Sequence, residues 1–147
     1  MLQVIGRVDD VEIRHNTMIF GRSETTANAA LMLEGTGSLR LTVVNNVFDG
    51  GQYGFFLSGG RMGIAAIQEF SATGVAAGNT IGVSWNPGYG TQNTVVASAE
   101  TMGFAGIESG DLRLLSTSPI RNSGTRGVTP GVPSGALASA LAARSQQ

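Results

Sequence analysis

Val11, Ile13 and His15 alternate with Glu12 and Arg14, and further along Leu39, Leu41 and Val43 alternate with Arg40 and Thr42. A two-residue period is the mark of a strand with one face buried. Both runs belong to a longer phrase. Val11-Glu12-Ile13-Arg14-His15-Asn16-Thr17-Met18 is echoed by Leu41-Thr42-Val43-Val44-Asn45-Asn46-Val47-Phe48. Each copy is an alternating run, then an Asn, then an apolar residue two positions on. A weaker third copy ends in Ala76-Ala77-Gly78-Asn79-Thr80-Ile81, with small residues where large aliphatics are expected. The Asn positions are 30 and 33 residues apart. Periods of this size indicate stacked supersecondary units.

After the first two Asn residues come Met18-Ile19-Phe20-Gly21 and Val47-Phe48-Asp49-Gly50, then further apolar runs, Ala30 to Leu33 and Tyr53 to Leu57. These end in the turns Glu34-Gly35-Thr36-Gly37 and Ser58-Gly59-Gly60. One unit therefore reads strand, Asn turn, short strand, Gly turn, strand. With no helical period between the strands, each is expected to pair in parallel with its equivalent one unit on. The rhythm breaks between Arg61 and Phe70, where Met62 to Ile67 reads as a strand or a short helix. Thr94-Val95-Val96 is a further β-rich run, and Ser84-Trp85-Asn86-Pro87-Gly88-Tyr89-Gly90 is a loop by its Asn-Pro-Gly content.

From Gly103 the text changes. A Pro/Gly stretch, Thr129 to Pro133, precedes Ser134, which is placed to cap a short Ala/Leu helix over Gly135 to Arg144. This element is expected to cover the exposed edge of the last coil, with Ser145-Gln146-Gln147 frayed. The division is coils over 1–102 and a closing segment over 103–147.

Charged residues are 13% of the chain, against an average of about 25%, and the net charge is −1. No basic field exists to attract nucleic acid or anionic lipid. No apolar run reaches the length of a membrane span, so membrane insertion is not expected. The 22 glycines are about twice the usual share and suit many tight turns. The absence of cysteine excludes disulfides, thiolate catalysis and Cys-based zinc sites. The N-terminus lacks the pattern of a signal peptide and enters the first repeat almost at once. A solenoid needs a distinct terminal cap, so the chain reads as the C-terminal piece of a longer protein, with further coils, and any leader, upstream. Its first strands would then be an open edge, prone to association.

The apolar-x-apolar-x-x-Asn-x-apolar units resemble the coils of right-handed parallel β-helix proteins of the pectate-lyase-like fold. Gly110-Asp111-Leu112-Arg113-Leu114 followed by Ser118-Pro119-Ile120-Arg121-Asn122-Ser123-Gly124 is similar to the phrase that closes the solenoid in many secreted bacterial β-helix proteins. The resemblance covers about residues 9–60 and 103–140. It implies an all-β, right-handed parallel β-helix of about three coils with a C-terminal cap. It also implies a carbohydrate-recognising module of a secreted or cell-envelope polysaccharide-active protein, with a polysaccharide or cell-surface glycan as partner. Two alternatives stand beside it. One is a non-catalytic stalk or adhesin segment. The other is a polysaccharide lyase or glycoside hydrolase, whose catalytic groups would lie in upstream coils or in this chain.

Candidate residues follow from these readings. Asn16, Asn46 and Asn79 tolerate the left-handed backbone of a sharp turn and can form an amide ladder. Asp10, Glu12 and Arg14 share the outward face of the first strand. In a lyase of the implied fold, carboxylates hold calcium and an Arg takes the sugar's proton. The bland reading pairs Asp10 with Arg40 on a solvated sheet. Calcium, the one cofactor considered and then only for a lyase, takes six or more oxygens, which these residues do not supply. His15, the only histidine, reads as a partly buried imidazole; a lone His is a poor metal site. Asp49 has no established carboxyl partner at the separation an inverting glycosidase needs. Trp85 and Tyr89, with Tyr53 and Gln52 near a turn, form the candidate platform for sugar rings; the alternative is that Trp85 plugs the loop onto the side of the coil.

Overall fold

Equivalent positions of the repeated phrase lie side by side. The computed structural model describes residues 1–20 and 29–144. Gly21 of the first turn, and Ser145 to Gln147, lie outside the described residues. The elements are β1 (Leu2–Ile5), β2 (Glu12–Arg14), β3 (Thr17–Met18), β4 (Leu31–Glu34), β5 (Thr42–Val44), β6 (Val47–Asp49), β7 (Phe55–Leu57) and β8 (Arg61–Met62). They continue with α1 (Ile64–Phe70), β9 (Val75–Ala77), β10 (Thr80–Gly82), β11 (Thr94–Val96), β12 (Phe104–Gly106), β13 (Asp111–Leu114) and α2 (Ser134–Arg144).

Three sheets carry parallel ladders, in the orders β1-β4-β7-β8, β2-β5-β9 and β11-β10-β6-β3, while β12 and β13 pair antiparallel. The register places like residues in columns. Ile13, Val43 and Ala76 are neighbours in one sheet, and Met18, Phe48, Ile81 and Val95 in another. Leu2, Leu31 and Phe55 line up in the remaining parallel ladder, as do Val4, Leu33 and Leu57. All these side chains meet in one apolar cluster. Each large side chain moved fully from water contributes roughly 1.5–3 kcal/mol, so the columns are the main source of cohesion.

The third copy departs from the first two for a packing reason. Ile64, Ile67 and Phe70 recur at helical spacing, and Ala66, Ile67 and Phe70 of α1 are buried in the same cluster. The helix packs against β4, β7, β8 and β9. Ala76 of β9 belongs to that same cluster. Gly63 turns the chain into the helix with φ 65°, and a Cβ there would stand 2.5 Å from the Gly88 carbonyl oxygen.

The expected all-β, right-handed parallel β-helix is corrected by these findings. The arrangement is mixed α/β, with two helices, short strands in parallel and antiparallel sheets, and no closed solenoid found among the described residues. The cause lies in residues 59–70. Positive φ at Gly59 and Gly60 reverses the chain, β8 returns antiparallel on β7, and α1 follows, so the parallel run of that sheet stops at β1, β4 and β7. The expected covering role also moves: α1 enters the core, whereas α2 packs on β13 and is largely exposed.

Candidate functional site

Two-residue turns, 15–16, 45–46 and 78–79, join the strands of neighbouring sheets. At the Asn turn, Asn16 Nδ2 donates to Asn46 Oδ1 (3.0 Å), and Asn46 Nδ2 donates to Asn79 Oδ1 (2.9 Å). A fourth rung follows, in which Asn79 Nδ2 donates to Asn93 Oδ1 (2.9 Å). Main-chain N–H groups of Asn16, Asn46 and Asn79 donate to the next rung's side-chain oxygen. The buried amides of Asn46 and Asn79 are consumed by this ladder, whereas Asn16, its first rung, is exposed. Asn93 escaped the sequence reading because its offset from Asn79 is 14 residues, half the earlier period; its signal is the Asn-x-Val of Asn93-Thr94-Val95.

The left-handed residue of each turn is the one before the ladder Asn, not the Asn itself. It is His15 (φ 52°), Asn45 (φ 57°) and Gly78 (φ 64°). Asn45 uses its side-chain oxygen to accept Thr125 N–H (2.8 Å) and the Thr125 hydroxyl (3.0 Å), which fastens the closing segment. Glycine is required at 78 because a Cβ would stand 2.3 Å from that same Asn45 oxygen. His15 is exposed on its turn, which corrects the partly buried position expected for it.

Asp10 and Arg40 form a bidentate pair across two repeats, with Arg40 Nη2 2.8 Å from Asp10 Oδ2. Glu12 accepts both arms of Arg14, at 2.8 and 3.0 Å. Hydrogen bonds from the guanidinium groups hold both carboxyls below their usual range. The bond to Glu12 equally raises Arg14, the opposite of what a proton-abstracting Arg requires. Glu12 and Arg14 of β2, and Asp10 just before the strand with φ 60°, are therefore spent on ion pairs. Asp111 behaves alike: the Arg113 side chain lowers it to about 2. Among the described residues no three His, Asp or Glu side chains gather where they could hold one metal ion. Asp49 differs, because burial pushes its carboxyl up despite an N–H from Phe20.

The aromatic candidates separate into surface and core. Trp85 is 42% exposed, and its indole N–H donates to the Gln52 carbonyl oxygen at 2.9 Å. Gln52 is exposed, and Tyr53 is half-buried and stacked on Phe56, ring centres 5.2 Å apart. Tyr89 is 1% exposed and meets Phe55 edge-on at 5.3 Å. Its hydroxyl donates to the Tyr53 carbonyl oxygen and accepts Phe55 N–H, both at 3.3 Å. Burial raises that hydroxyl to about 12. The turn Asn86-Pro87-Gly88 folds Tyr89 inward, with the Asn86 side-chain oxygen accepting the N–H groups of Gly88 and Tyr89. Tyr89 thus leaves the candidate platform; Trp85 and Gln52 are joined by the indole bond, and the Tyr53 ring lies against Phe56.

Protein-family models, curated proteins and solved structures give no match to this chain. The chemistry is accordingly read from the side chains alone. No helix among the described residues is long and apolar enough to cross a membrane.

Sequence reasoning missed one further concavity. A cavity of about 330 Å³ lies between the His15–Thr17 turn and the closing segment, lined mainly by apolar side chains together with His15 and Arg121. Its walls come from residues more than a hundred positions apart, so no local pattern announces it.

Proposed function

We propose that this chain is a carbohydrate-recognising module of a secreted or cell-envelope protein, binding a polysaccharide or cell-surface glycan around Trp85 without cleaving it. The observation that carries the reading is the exposed indole fixed by its N–H bond to the Gln52 carbonyl. An aromatic face held in place loses little entropy when a sugar ring stacks on it. The neighbouring Gln52 amide supplies both a donor and an acceptor for hydroxyl groups. The non-catalytic part of the reading is supported by the charged groups: Asp10, Glu12 and Arg14 are committed to ion pairs rather than poised for proton transfer.

The test is retention of the folded protein on a panel of polyuronates and neutral polysaccharides, with and without calcium, while unsaturated uronides and reducing ends are followed. Retention without products is expected. Trp85→Ala should weaken it at least about tenfold, the effect of truncating an aromatic anchor. Trp85→Phe, which keeps a ring, should retain more than Trp85→Ala. Retention on no polysaccharide, or equal retention of parent and Trp85→Ala, would overturn the proposal. Product release would overturn its non-catalytic part.

A further inference from the structure

The cavity beside His15 is independent of the Trp85 surface and has a composition of its own. Val47 of β6, Phe104 of β12, Leu112 and Leu114 of β13 and Leu137 of α2 supply apolar walls. The far wall is held by two backbone anchors. Gly131 N–H donates to the Asn45 carbonyl (2.7 Å), and Val132 N–H donates to Thr17 Oγ1 (3.0 Å). The closing segment lies so near the turn that a Cβ on Gly131 would stand 2.5 Å from Thr17 Oγ1. The cavity is therefore preformed. Its volume of about 330 Å³ sits at the low end of the roughly 300–1,000 Å³ of small-molecule sites, which limits the occupant to one short chain or one or two rings.

Its charge is one-sided. Arg121 supplies the formal charge and His15 is also in the lining, while among the described residues no Asp or Glu is. Arg121 is positioned through Nη1, which donates to the carbonyl oxygens of Leu114 (3.3 Å) and Leu115 (3.5 Å). A guanidinium has five donors in a planar fork matched to a carboxylate. We propose that this cavity binds a small carboxylate with an apolar body, the body against the Leu112, Leu114 and Leu137 walls and the carboxylate on Arg121.

His15 is the chain's single histidine, so its ring resonances report on the cavity without assignment. The experiment is an NMR titration of the whole chain with decanoate, and in parallel with decyltrimethylammonium. Decanoate should give a saturable shift of the His15 ring signals, and the cation none. Arg121→Gln, at an exposed position, should weaken decanoate about tenfold, the loss expected for one charge-assisted pair. Leu137→Trp, which fills the cavity from a largely exposed helix, should abolish the saturable shift. Trp85→Ala should leave it unchanged, which separates this site from the glycan surface. An absent or unsaturable shift, equal response to anion and cation, or undiminished binding by folded Arg121→Gln would overturn the proposal. Were Arg121→Gln not to fold, Leu137→Trp decides alone, and parent-like binding by it overturns the proposal.

Discussion

Replacing Asn46 by Ala probes the ladder at its most enclosed rung. The Asn46 side chain is fully buried. Its oxygen accepts the main-chain N–H (2.9 Å) and the side-chain Nδ2 (3.0 Å) of Asn16, and its Nδ2 donates to Asn79 Oδ1 (2.9 Å) and the Ile13 carbonyl (2.8 Å). At about 1 kcal/mol net for each of these four bonds, with more for any buried partner left unsatisfied, the loss comes to at least about 4 kcal/mol. That is a large part of the roughly 5–15 kcal/mol typical of a domain. Asn16 offers the control. Its side chain donates to Asn46 Oδ1 and the Arg14 carbonyl and is exposed, so Asn16→Ala should cost about 1 kcal/mol or less, because water replaces what is lost. Urea denaturation followed by far-UV circular dichroism measures both. Combining Asn46→Ala with Asn79→Ala should cost less than the two singles together, because the singles remove the same bond. The reasoning is refuted if Asn46→Ala and Asn16→Ala fall within about 1 kcal/mol of each other, since the burial of the ladder would then carry no energetic weight.

Three more outcomes follow from particular contacts. Burial raises the Asp49 carboxyl, so the folded state prefers its protonated form. That stabilising preference is present at low pH and lost as pH rises through the folded value; Asp49→Asn should therefore melt above the parent at pH 7, the gap closing below about pH 4. Gly54→Ala should lose at least about 2 kcal/mol, because Gly54 has φ +62° and a new Cβ would meet the Tyr89 hydroxyl. Tyr89→Phe, itself costing about 1 kcal/mol, should recover part of that loss in the double variant, read by thermal melting. Asp10→Asn removes an exposed ion pair with Arg40 and should leave the melting temperature within error of the parent in moderate salt; a drop of many degrees would show that the pair is structural.

The repeated phrase made the strands and their partners legible. Alternation in Val11 to His15 and Leu39 to Val43, and the spacing of Asn16, Asn46 and Asn79, specify parallel neighbours at offsets of 30 and 33 residues. Asp10 beside Arg40 follows from that same register. The interruption at residues 61–70 was visible too, but its outcome was not. The stretch divides, with Met62 ending β8 and Ile64 opening α1, and the helix buries Ile67 and Phe70 in a cluster assembled from β4, β7 and β9. Tyr89 was misplaced because a loop tyrosine can face either water or a core, and here the Phe55 ring and the Tyr53 carbonyl draw it inward.

By itself the sequence determined the periodic, local part of this protein: which residues extend, where the chain turns, which side chains repeat, and the absence of charge for nucleic acid. Side-chain period and backbone freedom act over a few residues and are written in order. Only the tertiary structure decided how the parallel ladders end, that α1 and antiparallel pairs replace the expected closed coil, that Trp85 stays out while Tyr89 goes in, and that His15 and Arg121 line one cavity. Those outcomes depend on volume and hydrogen-bond partners brought together from distant positions, such as Thr17 with Val132 and Asn45 with Thr125, and a distance that arises only on folding has no local signature.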